Sequence, residues 1–62
     1  MTNPIVNRAE QSVTGNIRTA DGLIVNVKVE VPSDGSLADE ELIEAALSMI
    51  QRQLRGAQWA KA

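Results

Sequence analysis

The sequence predicts a small α+β protein of order β-β-α, in which an antiparallel hairpin is followed by one long amphipathic helix. Residues 23–31 alternate aliphatic and polar side chains with the period of two that is typical of a half-buried strand. After the turn-forming residues 32–35, residues 37–55 change to the period of 3.6 that is typical of a helix. Because a chain of 62 residues buries only a marginal core, we expect oligomerisation to complete the fold.

The N-terminal segment, residues 1–11, has two interpretations. It is polar apart from the pair Ile5-Val6 behind Pro4, which is typical of a flexible arm. The alternative is a short edge strand that adds to the sheet or to a neighbouring subunit, and Pro4 suits the first position of such a strand. In both cases residues 12–62 are expected to form a single β-β-α domain.

The register of the hairpin, whose first strand is expected at residues 12–19, follows from the faces of its strands. A two-residue turn at Asp21-Gly22 would place Ile17 on the solvent-exposed face of the hairpin. A three-residue loop pairs Thr19 with Leu23 and leaves Gly22 left-handed in a G1 bulge. Since a slip of one residue exchanges the two faces of a strand, the pattern favours the three-residue loop. The side chains then expected against the helix are Val13, Ile17, Val25, Val27 and Val29.

Gly15 falls opposite Val27 on the buried face in this register. A glycine there either lets the helix backbone approach closely or marks a bulge. Neither interpretation makes it a ligand site.

The helix has recognisable start and stop signals. Ser36 is the expected N-cap, and Asp39 three residues later gives an approximate capping box. Gly56 supplies a left-handed stop. Acidic residues gather at the start of the helix and basic residues near its end, which complements the helix dipole.

The helix is apolar around roughly 200°, about twice the arc that one packing surface needs. The hairpin can cover only part of this arc. The remainder is therefore expected to meet a second copy of the chain, with a symmetric dimer as the first expectation. Paired sheet edges are a further possible contact. The residues expected in the oligomer interface are Leu42, Ala45, Ala46 and Met49.

Trp59 is the only aromatic residue and lies beyond the helix stop. It either folds back over the core or anchors a contact to another chain, where tryptophan is a favoured residue. Three arginines, Arg18, Arg52 and Arg55, are candidates for contacts to a partner or to an anionic ligand.

The composition argues against several classes of function. Without Cys or His, the chain has no disulfide, no typical zinc ligand set and no histidine base for a nucleophile, so we expect no enzyme, cofactor or metal site. With a net charge of −2 and scattered basic residues, it lacks the basic patch of a nucleic-acid binder. No apolar stretch is long enough to span a membrane. Four acidic residues are interpreted as charges that interact favourably with the dipole at the start of the helix: Asp39, Glu40, Glu41 and Glu44.

These exclusions leave a small, non-enzymatic, oligomeric interaction protein that binds or inhibits a larger host protein. A short chain of this kind is typical of phage or mobile-element accessory proteins. The alternatives are an oligomer that sequesters a small anionic ligand such as a nucleotide, and a structural subunit of a larger particle. The expected location is the cytoplasm, because the chain has no Cys and its start lacks a secretory signal. Met1 suggests an intact reading frame.

Overall fold

The chain forms an antiparallel sheet that is three strands wide, with one helix, which confirms the predicted α+β class. The computed structural model describes residues 3–33 and 35–60. Its elements in chain order are β1 (Ile5–Asn7), β2 (Ser12–Arg18), β3 (Ile24–Glu30), α1 (Asp39–Gln53) and a two-residue strand β4 (Gln58–Trp59). β2 is central, because β3 pairs along one side of it while β1 and β4 follow each other along the other side.

The hairpin has the predicted register. Ile17 pairs with Val25, and the backbone N–H of Thr19 donates to the carbonyl of Leu23 at 2.8 Å. Gly22 has a φ of +88°, as expected for the left-handed residue of a three-residue loop. The alternation of faces therefore decided the loop length correctly, although Asp21-Gly22 by itself suggested a shorter turn.

The helix is shorter than predicted and has a different N-cap. It begins after Ala38, whose backbone is extended and whose N–H donates to Glu41 Oε1 at 3.0 Å. The prediction of Ser36 as N-cap is wrong, because the helix begins only after Ala38, and Leu37 before it packs against the core. The predicted stop agrees better: Gly56 has a φ of +83°, three residues after the last helical residue, Gln53.

The core lies between β2 and the helix in two adjoining clusters. The first contains Val13, Val31, Leu42 and Ala46, and the second contains Ile17, Ile50 and Ala57. The helix thus buries residues four apart against the central strand. The predicted buried set is correct for β2 and only partly correct for β3, where Val25 is 40% exposed because β3 is an edge strand.

Position 15 requires a glycine for a reason other than the two that the sequence suggested. The pairing of β2 with β3 runs without interruption through Gly15 and Val27, so there is no bulge. A Cβ at this position would overlap Asn3 Oδ1 and lie 3.0 Å from the backbone of Pro4. The N-terminal segment, not the helix, therefore makes the close approach that requires glycine here.

Residues of the N-terminal segment add to the sheet. Ile5 pairs with Thr14 and Asn7 with Ser12, so β1 is an edge strand beside β2. The turn that follows is tied to the start of the helix, since Arg8 donates to Asp39 Oδ1 at 2.6 Å and to the Leu37 carbonyl at 3.0 Å. Among the described residues, no helix is long and apolar enough to cross a membrane.

Candidate interaction surface

An open apolar groove lies between β3 and the C-terminal half of the helix. We call it the β3 groove; it has a volume of about 470 Å³. Its lining residues are Val27, Lys28, Val29, Glu30, Met49, Ile50, Gln53 and Leu54. The groove exists because the helix packs its buried residues over β2, which leaves the valine face of the neighbouring edge strand partly uncovered.

Exposed aliphatic side chains continue from the β3 groove toward the hairpin loop. Val25 shares the helix-facing side of β3 with Val27, and Leu23 next to it is 62% exposed. Leu54, just past the helix, is 42% exposed at the opposite wall of the groove. Monomeric proteins seldom leave contiguous apolar patches in water, so this surface is a candidate for contact with a protein.

The outer edge of β3 also offers free backbone groups. The N–H of Val31 donates to the Gln11 carbonyl and that of Thr19 donates to the Leu23 carbonyl, which fixes the odd-numbered residues as the ones bonded to β2. The N–H and C=O groups of Ile24, Asn26 and Lys28 consequently point away from β2. No strand in the described part of the chain pairs with that edge.

The lysine of β3 does not shield this edge. Lys28 Nζ forms an ion pair with Glu10 Oε1 at 3.0 Å, and Glu10 belongs to the turn between β1 and β2. Edge strands commonly use a lysine to discourage pairing with another chain. Here its ammonium group is drawn across the sheet instead, so the edge keeps its capacity to bind a further strand.

The predicted oligomer interface is divided between the core and the surface. Leu42 and Ala46 are 2% and 0% exposed, so in this fold they have no surface to offer a second copy and this part of the prediction needs correction. They are buried because they face β2 within the same chain. Ala45 and Met49 are half-buried, and Met49 reaches the β3 groove.

The residues predicted for partner or ligand contact are only partly brought together. Trp59 packs half-buried against both core clusters, and its Nε1 lies 3.4 Å from the Ile43 carbonyl, so its indole covers the core. Arg18 lines a shallow pocket with Gln58, Trp59 and Ala60. Two other arginines, Arg52 and Arg55, are exposed and do not line that pocket.

Two of the acidic residues at the helix start have structural partners. Asp39 pairs with Arg8, and Glu41 accepts the N–H of Ala38. Over residues 3–33 and 35–60, no three acidic side chains lie close enough together to hold a metal ion. Within the same ranges, no buried side-chain nitrogen or oxygen lacks a hydrogen-bond partner.

Sequence reasoning missed the exposure of Val25 at the start of β3, although a signal for it was present. Leu23, Ile24 and Val25 are three consecutive apolar residues and therefore break the alternation that the rest of the strand keeps. Ile24 must point to the face away from the helix, and it is exposed there. Such a break marks an aliphatic side chain that the chain itself does not cover.

No model of a known protein family matches this chain, and neither a curated protein nor a solved structure is significantly similar to it. Its function is therefore inferred from its own surface and chemistry.

Proposed function

We propose that this chain is a small non-enzymatic interaction protein that associates with itself and binds or inhibits a larger protein. The observation that carries the proposal is the β3 groove together with the exposed Val25 and Leu54 at its borders. We place this activity in the cytoplasm, in keeping with a chain that has no Cys.

Burial of this surface supplies the driving force for association. Removing apolar surface from water contributes about 25 cal/mol per Å², and each exposed aliphatic side chain adds to the gain when a partner covers it. Leu54 lines the groove, and Val25 lies on the same face of β3 as the lining residue Val27, so a single partner segment can cover both. An edge with free backbone groups beside an apolar groove is also the arrangement that accepts an added strand.

The polar chemistry of the chain supports a binding role better than a catalytic one. Arg8 and Lys28, two of the six basic residues, are held in ion pairs on the surface. Ser12 is buried beside Glu10, with 3.5 Å between its Oγ and the Glu10 Oε1. A nucleophilic mechanism needs an activating base next to a reachable hydroxyl, and a buried serine beside a carboxylate that already pairs with Lys28 does not fit that requirement.

The test is affinity capture from the source cells with three immobilised chains. The native chain and the control Ser48→Glu are expected to retain the same larger protein, since Ser48 is exposed on the helix and does not line the groove. Leu54→Glu is expected to lose it, because a carboxylate would enter the apolar border of the groove. Equal retention by all three chains, or retention by none, would count against the proposal.

A second candidate function, binding of a small anionic ligand, is favoured by the pocket at Arg18. Arg18 forms no ion pair with any residue in the described ranges, and Trp59 beside it offers a ring for stacking. Thermal-shift assays with nucleotides should then show stabilisation of the native chain and of Arg55→Ala, but not of Arg18→Ala. No shift for the native chain would remove this candidate.

A further inference from the structure

We infer that the partner at the outer edge of β3 is a second copy of this chain, paired antiparallel through β3 about a two-fold axis at Val27. The inference rests on the self-association in the proposed function and names its contact. The result would be one continuous sheet through two copies, with β3 from each copy at the centre. Both helices would lie on the same side of that sheet.

The backbone of β3 suits this pairing. The outward N–H and C=O groups belong to even-numbered residues, and an antiparallel partner needs such groups at alternate positions. With the axis at Val27, Asn26 lies opposite Lys28 of the second copy. Ile24 likewise lies opposite Glu30 of the second copy. Every residue of the seven-residue strand then has a partner.

The side chains suit the same register. A two-fold axis perpendicular to the sheet pairs odd residues with odd residues, so Val25 meets Val29 and Val27 meets its own symmetry copy. The two β3 grooves then join across the contact between the two β3 strands, which we call the seam. Met49 and Leu54 of each copy line the joined grooves, while the valines at the contact between the two β3 strands lose exposure to water.

Charge disfavours one of the two neighbouring registers. An axis at Lys28 would place two ammonium groups directly opposite each other, which is destabilising. With the axis at Val27, Lys28 faces an asparagine and Glu30 faces an isoleucine, so no like charges are directly opposed. Lys28 is also held by Glu10 of its own chain. This self-complementarity is what a two-fold contact requires.

The opposite edge of the sheet is a poorer site for a second copy. It consists of β1 and β4, which have three and two residues and which follow each other beside β2. Asn3 and Ala60 converge on Asn16 between them. A second copy would therefore find only a short, interrupted row of backbone groups there.

Cysteine cross-linking tests the register, because the chain has no cysteine of its own. At a non-hydrogen-bonded antiparallel pair the two Cα atoms lie about 4.5 Å apart, within the range of a disulfide. Val27→Cys is therefore expected to give a covalent dimer under mild oxidation. Asn26→Cys is expected not to, because its symmetry copy lies diagonally across the seam. Ile5→Cys, exposed on β1, controls for random collision. Cross-linking of Asn26→Cys instead, or of Ile5→Cys to the same extent, would overturn the inference.

A proline variant tests the contact without a covalent bond. The N–H of Asn26 points outward, so Asn26→Pro removes one donor from each copy at the proposed contact and leaves the ladder to β2 intact. We expect Asn26→Pro to be monomeric by light scattering at micromolar concentration with the native circular dichroism spectrum. Asn26→Ala, which keeps the N–H, should remain dimeric. If Asn26→Pro fails to fold, the Val27→Cys result decides.

The native chain itself separates this inference from the proposed function. A monomer by light scattering at the same concentration would overturn the second copy as occupant. If capture of a larger protein still depended on Leu54 in that event, the binding role would remain, with a foreign chain at the β3 edge.

Discussion

Asn3 and Asn16 bind each other through two hydrogen bonds, in which the side chain of one pairs with the backbone of the other. The N–H of Asn16 donates to Asn3 Oδ1 at 2.7 Å, and Asn3 Nδ2 donates to the Asn16 carbonyl at 3.1 Å. The N–H of Ala60 donates to the same carbonyl at 2.9 Å. Asn16 is therefore the point on β2 where the segments before β1 and after β4 meet, and Gly15 beside it leaves the space that Asn3 occupies.

Gly15→Ala is expected to lower the free energy of unfolding by roughly 2–3 kcal/mol. The added Cβ would overlap Asn3 Oδ1, so the N-terminal segment must move and lose its hydrogen bonds to Asn16. The control is Gly22→Asn, because a Cβ there meets nothing within 4 Å and asparagine tolerates a left-handed backbone. Urea unfolding at one protein concentration measures both variants. Equal losses would show that Asn3 does not depend on the glycine.

Two leucines of the C-terminal half are expected to differ in their contribution to stability. Leu42→Ala should cost about 2–4 kcal/mol, because Leu42 is fully enclosed by the core cluster that contains Val13 and Ala46. Leu54→Ala should cost less than about 1 kcal/mol in the separated chain, since Leu54 lies at an open border of the β3 groove. Thermal unfolding of the two variants makes the comparison, and a larger loss for Leu54 would contradict the position of the core.

Trp59 should report the docking of β4, because it is the only aromatic residue in the chain. Its indole packs against both core clusters, so its fluorescence should shift to longer wavelength when urea releases β4. Trp59→Ala is expected to cost about 2–3 kcal/mol. The exposed neighbour Gln58 provides the control, and Gln58→Ala should change little. A fluorescence spectrum like that of free tryptophan in the native chain would contradict this packing.

The elements predicted best are those whose residues form a long periodic pattern. The hairpin register followed from the alternating faces of β3, and the helix followed from its period of 3.6. β4 and the bounds of β1 had no such pattern, because strands of two and three residues are too short to show a period. β4 takes its position from Ile17 and Arg18 of β2, which lie far away in the sequence, and β1 takes its position from its pairing with residues 12–14.

The interaction surface stays a prediction, but two of the residues assigned to it lie in the core. The helical arc counted Leu42 and Ala46 as surplus, since a sequence does not tell which strand lies under the helix. Because β2 lies there, these two residues are enclosed and the uncovered apolar surface moves to Val25 and Leu54. The reason why position 15 requires a glycine was missed in a similar way, because Asn3, which occupies the space beside it, is twelve positions away in the chain.

The meeting of Asn3 with Ala60 makes the backbone path nearly a closed ring. Asn3 Nδ2 donates to the Ala60 carbonyl, so a short linker between the two positions would complete that ring. A circularly permuted chain opened between Asp21 and Gly22 would then run in the order β3, α1, β4, β1 and β2. All pairings of β2 would persist, although the hairpin that now joins β2 to β3 would be severed. The connectivity of the chain and the architecture of the sheet are in this sense separable.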